Sequence, residues 1–203
     1  TPHNPNDDKV TFRNTWIDQN SRNIAPEHIY SVAQDHDNTL WVGTNSGIFT
    51  IPTNVDFAVS NYCERVVIPR NDGSGLGDYL LDGEQINCIV IDGANRKWIG
   101  TASSGVFLIQ ITTNESGGKD IETVAHFTSE NSLMPSDNVL SIAINELSGE
   151  VFIGTAAGLV SYMSDAVKPE ENFNNLYVYP NPVHPTYKGY ITIRGLMADS
   201  EVR

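Results

Sequence analysis

Apolar and polar residues alternate in short runs along this chain, and the same order of runs occurs three times. The three copies lie near residues 29–49, 86–107 and 139–160. Each copy begins with an alternating stretch, passes through a polar turn and returns as a second apolar stretch that ends in Gly-Thr. Alternation with a period of two indicates half-buried β-strands, and a polar turn between two such strands predicts a hairpin. The pattern therefore predicts three similar units of short antiparallel strands.

Four positions recur in the returning part of each copy. They are an aromatic residue (Trp41, Trp98, Phe152), a glycine two positions later (Gly43, Gly100, Gly154), a threonine (Thr44, Thr101, Thr155) and a second glycine (Gly47, Gly105, Gly158). We expect the aromatic rings to fill the space between neighbouring units, because a large ring buries much area. The first glycine lacks a Cβ and lets another backbone approach, and the second suits a left-handed turn. These residues are structural candidates and not ligand contacts.

A repeat of about 40 to 50 residues that holds a few short strands is typical of a β-propeller blade. Fourth, outer strands are predicted at Glu64–Pro69 and Glu122–Thr128, and another at Lys9–Ile17 before the first blade. Propellers usually have four to eight blades, so three blades do not close a ring. We therefore expect residues 1–163 to be three four-stranded blades of a larger propeller, completed by the remaining blades of the same protein.

The rhythm changes after the third copy. Residues 164–175 are rich in proline, asparagine and charge, which predicts a linker. Residues 176–203 then show strand, proline turn and strand, which predicts the first strands of a C-terminal immunoglobulin-like β-sandwich. The polar residues 1–8 are expected to form a frayed end or a connecting loop. The predicted fold class is all-β throughout.

Charge narrows the choice of partners. The chain has 12 basic and 25 acidic residues and a net charge of −13. Such a surface repels phosphate backbones, so nucleic acid is an improbable partner. No run of 18 apolar residues occurs, so this portion is not expected to span a membrane.

The cysteines do not form a metal or disulfide pattern. Cys63 and Cys88 occupy non-equivalent places in the repeat. Cys88 lies at an inward-alternating position and is most simply a buried small hydrophobic residue. A disulfide between the two is the less favoured alternative and stays open.

Catalytic patterns are missing from the sequence. The five histidines, His3, His28, His36, His126 and His184, fall at unrelated positions without metal-ligand spacing. No Gly-x-Ser-x-Gly elbow occurs, and the glycine-rich stretch Gly73–Gly77 neither follows a clear strand nor opens a helix. We expect no enzyme activity, no catalytic residue and no metal ligand, and we interpret the stretch as a flexible insertion.

Calcium is the alternative cofactor that the sequence leaves open. Asp35 with Asp37, and Asp72 with Asp78, resemble fragments of a calcium loop. The first fragment has Leu40 where glycine is required, and the second has Leu76 where a ligand is required. Polar hairpin turns are the simpler interpretation, and no cofactor is expected.

Recognition residues are sought outside the repeat. Trp16, Tyr62 and Tyr79 lie in non-repeated stretches, where loops carry function, and are candidates for exposed contacts. Local packing is the simpler interpretation for each of them. The ligand-binding residues are therefore left unassigned.

The blade sequence resembles a known repeat family. Leu40–Thr44 reads LWVGT after an acidic turn, and Asn131–Val139 reads NSLMPSDNV. These phrases resemble the two-component regulator propeller repeat of Bacteroidetes sensor ectodomains and envelope proteins, over about Lys9–Met163. Phe152 departs from the tryptophan of that repeat.

The C-terminal segment points to one group within that family. Tyr179, Pro180, Asn181 and Pro182, followed by Gly189–Ile193, are similar to the opening of the C-terminal sorting domains of the type IX secretion system. Together with the blades, they resemble the PorZ-type surface proteins of that system. The resemblance implies two propellers and a sandwich at the outer-membrane surface, with any targeting segment lying upstream.

The resemblance also implies a function and one alternative function. It implies a non-catalytic scaffold of the cell envelope that docks other envelope or secretion proteins, or an anionic lipopolysaccharide or glycan. The alternative is the periplasmic, glycan-sensing ectodomain of a hybrid two-component histidine kinase. The rival predicts a transmembrane helix after the C-terminal domain.

Overall fold

The computed structural model describes residues 10–70, 74, 76–113, 119–170, 172–197 and 200. The expected frayed end at residues 1–8 lies outside these residues, as do Asp72, Gly73 and Gly75 of the glycine-rich stretch. The described secondary structure is β-strand, apart from one 3-10 turn at Phe173–Asn175. The all-β class predicted from the alternating pattern is therefore confirmed.

The first strands differ from the prediction. β1 (Trp16–Ile17) pairs with β2 (Asn23–Ile24), whereas residues 10–15 form no strand. The long outer strand predicted at Lys9–Ile17 is wrong, because Val10 and Phe12 project into solvent and no neighbouring strand pairs with them. Ile17 instead accepts a hydrogen bond from the Cys63 N–H at 3.0 Å and donates one to Asn61 O at 2.8 Å. These bonds join β1 to the segment that follows the first blade.

The first repeat copy forms a three-stranded antiparallel sheet in the order β3-β4-β5. Its strands are β3 (Ile29–Gln34), β4 (Leu40–Thr44) and β5 (Gly47–Ile51). Only Glu64 of the predicted outer strand Glu64–Pro69 continues this sheet, through reciprocal bonds with Thr50 at 2.7 and 2.8 Å. The chain then leaves the blade, and β6 (Val67–Pro69) pairs with β7 (Gly77–Tyr79) in a separate hairpin.

The second copy has the four strands that were predicted. They are β8 (Ile86–Ile91), β9 (Lys97–Thr101), β10 (Val106–Thr113) and β11 (Lys119–Phe127), in the order β8-β9-β10-β11. The third copy forms β12 (Val139–Asn145), β13 (Glu150–Thr155) and β14 (Gly158–Met163) in the order β12-β13-β14. A fourth strand is absent from this sheet among the described residues, because the chain turns away after Met163.

The first strand of every copy carries the same irregularity. The register of pairing shifts between Ile29 and Ser31, between Ile86 and Cys88, and between Val139 and Ser141. A β-bulge at the same place in three copies bends each strand in the same way. The three copies thus share this structural irregularity as well as their sequence pattern.

The core lies largely between blades. One cluster joins Trp41 and Ile48 of the first blade to Ile89, Ile99 and Ile109 of the second. Another joins Trp98, Val106 and Leu108 of the second blade to Val139, Ile142, Val151 and Ile153 of the third. A third cluster packs Trp16 and Cys63 on Phe49 at the outer edge of the first blade. Neighbouring blades therefore stabilise each other, as in other repeat proteins.

The segment between the blades and the C-terminal strands is partly packed, in contrast to the predicted linker at 164–175. Ser164 and Ala166 are buried. The Ser164 N–H donates to Gly149 O at 3.0 Å, and the Lys168 N–H donates to Glu146 O at 2.9 Å. These bonds hold residues 164–168 against the turns of the blades. We therefore still predict a linker only for the part of 164–175 that follows residue 168.

The C-terminal segment forms one short hairpin, β15 (Tyr177–Tyr179) with β16 (Thr192–Arg194). The peptide bonds before Pro180 and Pro182 are cis. Tyr177, Val178 and Tyr179 are exposed. Two strands with open faces are a small part of a sandwich, so the immunoglobulin-like domain at 176–203 stays a prediction. Within the part of the chain that the structure describes, no helix has the length and apolar character needed to cross a bilayer.

Candidate functional site

An aspartate at the first position of the polar turn organises the hairpin of the first blade. Asp35 Oδ1 accepts the N–H groups of Asp37 and Thr39, each at 3.0 Å. Asp35 Oδ2 accepts the indole Nε1–H of Trp41 at 2.9 Å. The carboxylate therefore fixes the turn and the ring together, and local bonds of this kind are the reason that aspartate suits turns.

The second blade repeats this arrangement. Asp92 Oδ1 accepts from the N–H groups of Ala94 and Arg96, and Asp92 Oδ2 accepts from Trp98 Nε1 at 3.1 Å. Sequence reasoning missed this pair, although its signal was present as a spacing of six residues from aspartate to tryptophan in both copies. The third copy has Asn145 and Phe152 instead, which cannot make the same bond.

The aromatic positions differ in burial along the repeat. Trp41 and Trp98 are almost completely buried against the following blade, whereas Phe152 is half-buried. The Trp98 ring also stacks on Phe127 of its own blade, with centroids 6.0 Å apart and planes at 4°. Trp41 and Trp98 therefore present no open ring face to a ligand in the way that a sugar platform requires.

The first glycines stand where the next blade comes close. A Cβ on Gly43 would lie 2.7 Å from Ile86 Cγ2, and one on Gly100 would lie 2.6 Å from Val139 Cγ1. At Gly154 the nearest atom is the Ser141 hydroxyl of the same blade. The small residue thus serves the contact between blades in the first two copies.

The threonines and second glycines close the following turn. The hydroxyls of Thr44, Thr101 and Thr155 each donate to the carbonyl of the second glycine at 2.9 Å. Gly47, Gly105 and Gly158 have φ values of 113°, 76° and 146°, in the region that side chains disfavour. The twelve repeat positions therefore have structural partners in the described fold.

A buried ion pair joins the first two blades. Lys97 Nζ lies 3.2 Å from Asp35 Oδ2, and both side chains are at most 5% exposed. Lys97 Nζ also donates to Asn95 O at 2.7 Å and lies 5.3 Å from the centroid of the Trp41 ring. Burial raises the pKa of Asp35, but the Trp41 hydrogen bond and the Lys97 charge outweigh it, so the pKa is lower than its ordinary value.

The same ion pair lines a cavity of about 470 Å³, which we name the inter-blade cleft. Asp35, Trp41 and Lys97 are buried residues of its lining. The second blade adds the cross-strand pairs Ile111–Ile121 and Thr113–Lys119. The other lining residues are Gln19, Asp37, Thr39, Thr50 and residues 64–67. Its size falls within the range of ligand pockets, so the inter-blade cleft is the candidate binding site.

A second polar cluster holds the C-terminal connection. Arg96 is 6% exposed and forms ion pairs with Asp92 and Asp165, each at 2.8 Å. Its Nη2 also donates to Ser164 Oγ at 2.9 Å. Burial raises the pKa of Asp165, but Arg96 outweighs it and holds that pKa lower than its ordinary value. We name this cluster the Arg96 clasp.

The recognition candidates have different environments. The expectation that Trp16 is exposed is wrong: it is 3% exposed, with its ring centroid 4.8 Å from that of Phe49. Tyr62 and Tyr79 are half-buried. The Arg65 guanidinium lies 3.7 Å from the Tyr79 centroid and pairs with Asp82, which anchors the β6–β7 hairpin. Local packing therefore describes Trp16 and Tyr79 better than recognition.

The C-terminal signature lies apart from the inter-blade cleft. Tyr179 is 69% exposed at the end of β15, and Pro180, Asn181 and Pro182 follow it in a turn. Their role in a sorting domain stays a prediction.

Among the described residues, no three His, Cys, Asp or Glu side chains come close enough together to hold a metal ion. Both oxygens of Asp35 accept bonds from protein donors, and Asp78 pairs with Arg70. The calcium-loop fragments therefore serve turns and ion pairs at these two positions. The thiols of Cys63 and Cys88 are both free, with Cys63 buried and Cys88 half-buried.

Comparison with known proteins shows which family this chain resembles. The family model for the two component regulator propeller matches residues 23–46. The chain is similar to the structure of PorZ, an essential bacterial surface component of the type-IX secretion system of Porphyromonas gingivalis, at 30% identity and a TM-score of 0.70. The match covers 98% of this chain and 26% of PorZ, so the chain spans about a quarter of that protein's length.

Weaker likenesses concern sensor proteins. The extracellular domain of the BT3049 hybrid two component system of B. thetaiotaomicron is 20% identical over 81% of this chain and 26% of its own, with a TM-score of 0.36. The extracellular domain of the BT4673 one component system is 16% identical, and the match covers 70% of this chain and 23% of that domain, with a TM-score of 0.33. Scores this low support no argument about function. Among curated proteins no match was found.

Proposed function

Since this chain is a regulator-propeller chain that is PorZ-like over 98% of its length, we propose that it belongs to a non-catalytic scaffold of the cell envelope. In this proposal the protein is a PorZ-type surface component of a type IX secretion system. The observation that carries it is the extent of the likeness, which includes the C-terminal segment as well as the blades. A propeller repeat alone would support the fold and no particular role.

The described polar groups suit a scaffold. Asp35 and Asp92 stabilise turns and rings, and Lys97 and Arg96 are paired with acids at 2.8 to 3.2 Å. Buried charges held by partners in this way stabilise one geometry and leave little freedom for proton transfer. Rigid blades can then present loops of different length to other proteins.

We further propose that the described residues dock protein partners of the envelope and not the anionic lipopolysaccharide. An anionic glycolipid requires a local excess of basic groups, whereas this chain has a net charge of −13. Arg65, Arg70 and Arg96 each pair with an aspartate. Lipopolysaccharide, if it binds the protein, would then contact other parts of it.

The test is deletion of the gene in the bacterium that carries it, followed by measurement of type IX cargo at the cell surface by proteomics of shaved cells. The proposal expects loss of surface-attached cargo, which is restored by the intact gene and by an Arg70→Gln gene. Arg70 is a matched control because its ion pair with Asp78 is exposed.

The contrary result is normal surface cargo with an altered transcriptional response to polysaccharides. That result would replace the scaffold by a sensor ectodomain. Transcript profiling of the same deletion strain therefore distinguishes the two roles in one experiment.

A further inference from the structure

The charged groups of the inter-blade cleft divide into paired and unpaired ones. Lys97 pairs with Asp35, and Arg65 pairs with Asp82. Because each of these charges faces an opposite charge at contact distance, neither pair attracts a further ion strongly.

Two further carboxylates line the cleft, those of Asp37 and Glu64. Asp37 Oδ2 accepts from the Asn95 amide at 3.0 Å, and Glu64 Oε1 accepts from the Tyr62 hydroxyl at 3.3 Å. Both donors are neutral, and neither carboxylate has an ion-pair partner in the described part of the chain. Lys119 also lines the cleft and has no ion-pair partner in the described part of the chain, so the unpaired charges are two negative and one positive. The excess of one negative charge favours a ligand that carries a cationic group.

Four aliphatic residues also line the cleft. Val66 and Val67 come from the segment after the first blade, and Ile111 and Ile121 come from the second blade. Trp41 cannot act as a sugar platform, because it is 2% exposed and Lys97 Nζ lies 5.3 Å from its ring centroid. The cleft thus offers apolar contact and carboxylates, and no open ring face for a glycan.

The backbone beside the cleft is that of an edge strand. β11 is the outermost strand of the second blade, and its residues Lys119 and Ile121 line the cleft. Edge strands accept extended peptides by main-chain hydrogen bonding, with alternate side chains entering pockets. A peptide beside β11 would direct every second side chain toward the cleft.

We propose that the inter-blade cleft binds a short extended peptide segment with a basic side chain flanked by aliphatic residues. The basic group lies between Asp37 and Glu64, and the aliphatic groups contact Val67 and Ile121. The excess of acidic residues over the whole chain, 25 against 12, adds long-range attraction for such a segment. This inference is independent of the proposed function, since it rests on the cleft alone.

The test is isothermal titration of the full-length protein that contains this chain with the blocked pentapeptide acetyl-Ala-Val-Lys-Val-Ala-amide, with the glutamate version of the same peptide and with maltotriose. The proposal expects binding of the lysine peptide only, weakening as salt rises. Glu64→Gln and Asp37→Asn keep the shape of the side chain and remove one charge each. Each is expected to weaken binding by about fivefold or more.

Glu130→Gln is the matched control, because Glu130 is exposed and does not line the cleft. It removes the same charge from the chain and is expected to leave binding unchanged. The proposal is overturned if the lysine peptide does not bind, if both cleft variants bind it as well as the parent, or if maltotriose binds more tightly. Unfolding midpoints within about 2 °C of the parent show that the variants keep the fold.

Discussion

Trp98 donates its indole N–H to the buried carboxylate of Asp92, with Nε1 and Oδ2 3.1 Å apart. The same pair recurs one blade earlier, where Trp41 bonds Asp35 at 2.9 Å. Each tryptophan packs on the following blade while its aspartate shapes the turn of its own blade. One hydrogen bond thus couples hairpin geometry to packing between blades.

Replacement of Trp98 tests this coupling. Trp98→Ala removes a fully buried ring and should lower the free energy of unfolding by about 3 to 5 kcal/mol. Trp98→Phe keeps most of the ring but removes the indole N–H donor, so the free energy of unfolding should fall by about 1 to 3 kcal/mol. Tyr190→Ala, at a residue 94% exposed, is the control. Denaturant unfolding measures all three, and an unchanged midpoint for Trp98→Ala would contradict the burial of the ring.

The ion pair between Lys97 and Asp35 predicts a pH dependence. Because the pKa of Asp35 is lower than its ordinary value of 3.8, the pair stabilises the fold above that pH. This contribution is lost as the pH falls through the lowered pKa. Lys97→Met removes one cause of the lowering and should cost about 3 to 5 kcal/mol at neutral pH.

Urea unfolding between pH 3 and pH 7 measures this effect. The stability difference between the parent and Lys97→Met should be largest at neutral pH and should shrink as the pH falls toward the lowered pKa of Asp35, because a protonated Asp35 no longer attracts the Lys97 charge. A difference that stays constant over this pH range would show that the ion pair does not form in solution.

The Arg96 clasp predicts local protection. Arg96→Gln removes the bonds from Arg96 to Asp165 and Ser164, so amide hydrogen exchange at residues 164–170 should accelerate by roughly tenfold or more. Arg70→Gln, which breaks an exposed pair, should leave that exchange unchanged. Exchange measured by mass spectrometry compares them, and equal protection in both variants would mean that residues 164–170 are held by the backbone alone.

Glycine substitutions test the close approach of neighbouring blades. An added Cβ at Gly43 would meet Ile86 of the second blade, whereas one at Gly154 would meet only the movable Ser141 hydroxyl. Gly43→Ala should therefore cost about 1 to 3 kcal/mol, and Gly154→Ala should cost less. Thermal unfolding ranks the two variants. A larger loss for Gly154→Ala would contradict the packing of the first two blades.

We expect the thiols of Cys63 and Cys88 to react slowly with thiol reagents. Burial raises the pKa of Cys63 to about 12 and that of Cys88 to about 11, so both thiols remain protonated at pH 8. Ellman's reagent should react slowly with the native chain and should find two thiols after unfolding without a reductant. Fewer than two thiols would reveal the disulfide that the sequence left open.

The amino-acid sequence by itself determined the repeat, the strand class and the hairpin positions. Alternation and turn residues are local, so the hairpins around Trp41, Trp98 and Phe152 followed directly from the pattern. The hydrogen bonds from Thr44 and Thr101 to the second glycines are local in the same sense. The family resemblance also rested on these short phrases.

Tertiary structure decided everything that depends on which surfaces meet. The sequence around Trp16 resembles an exposed loop, yet its ring is buried because Cys63 and Phe49 return beside it. The pairing of Lys97 with Asp35 depends on two blades lying side by side, and neither residue carries a local signal of its partner. The inter-blade cleft exists for the same reason, since its walls come from segments that are distant along the chain and adjacent only after the blades pack.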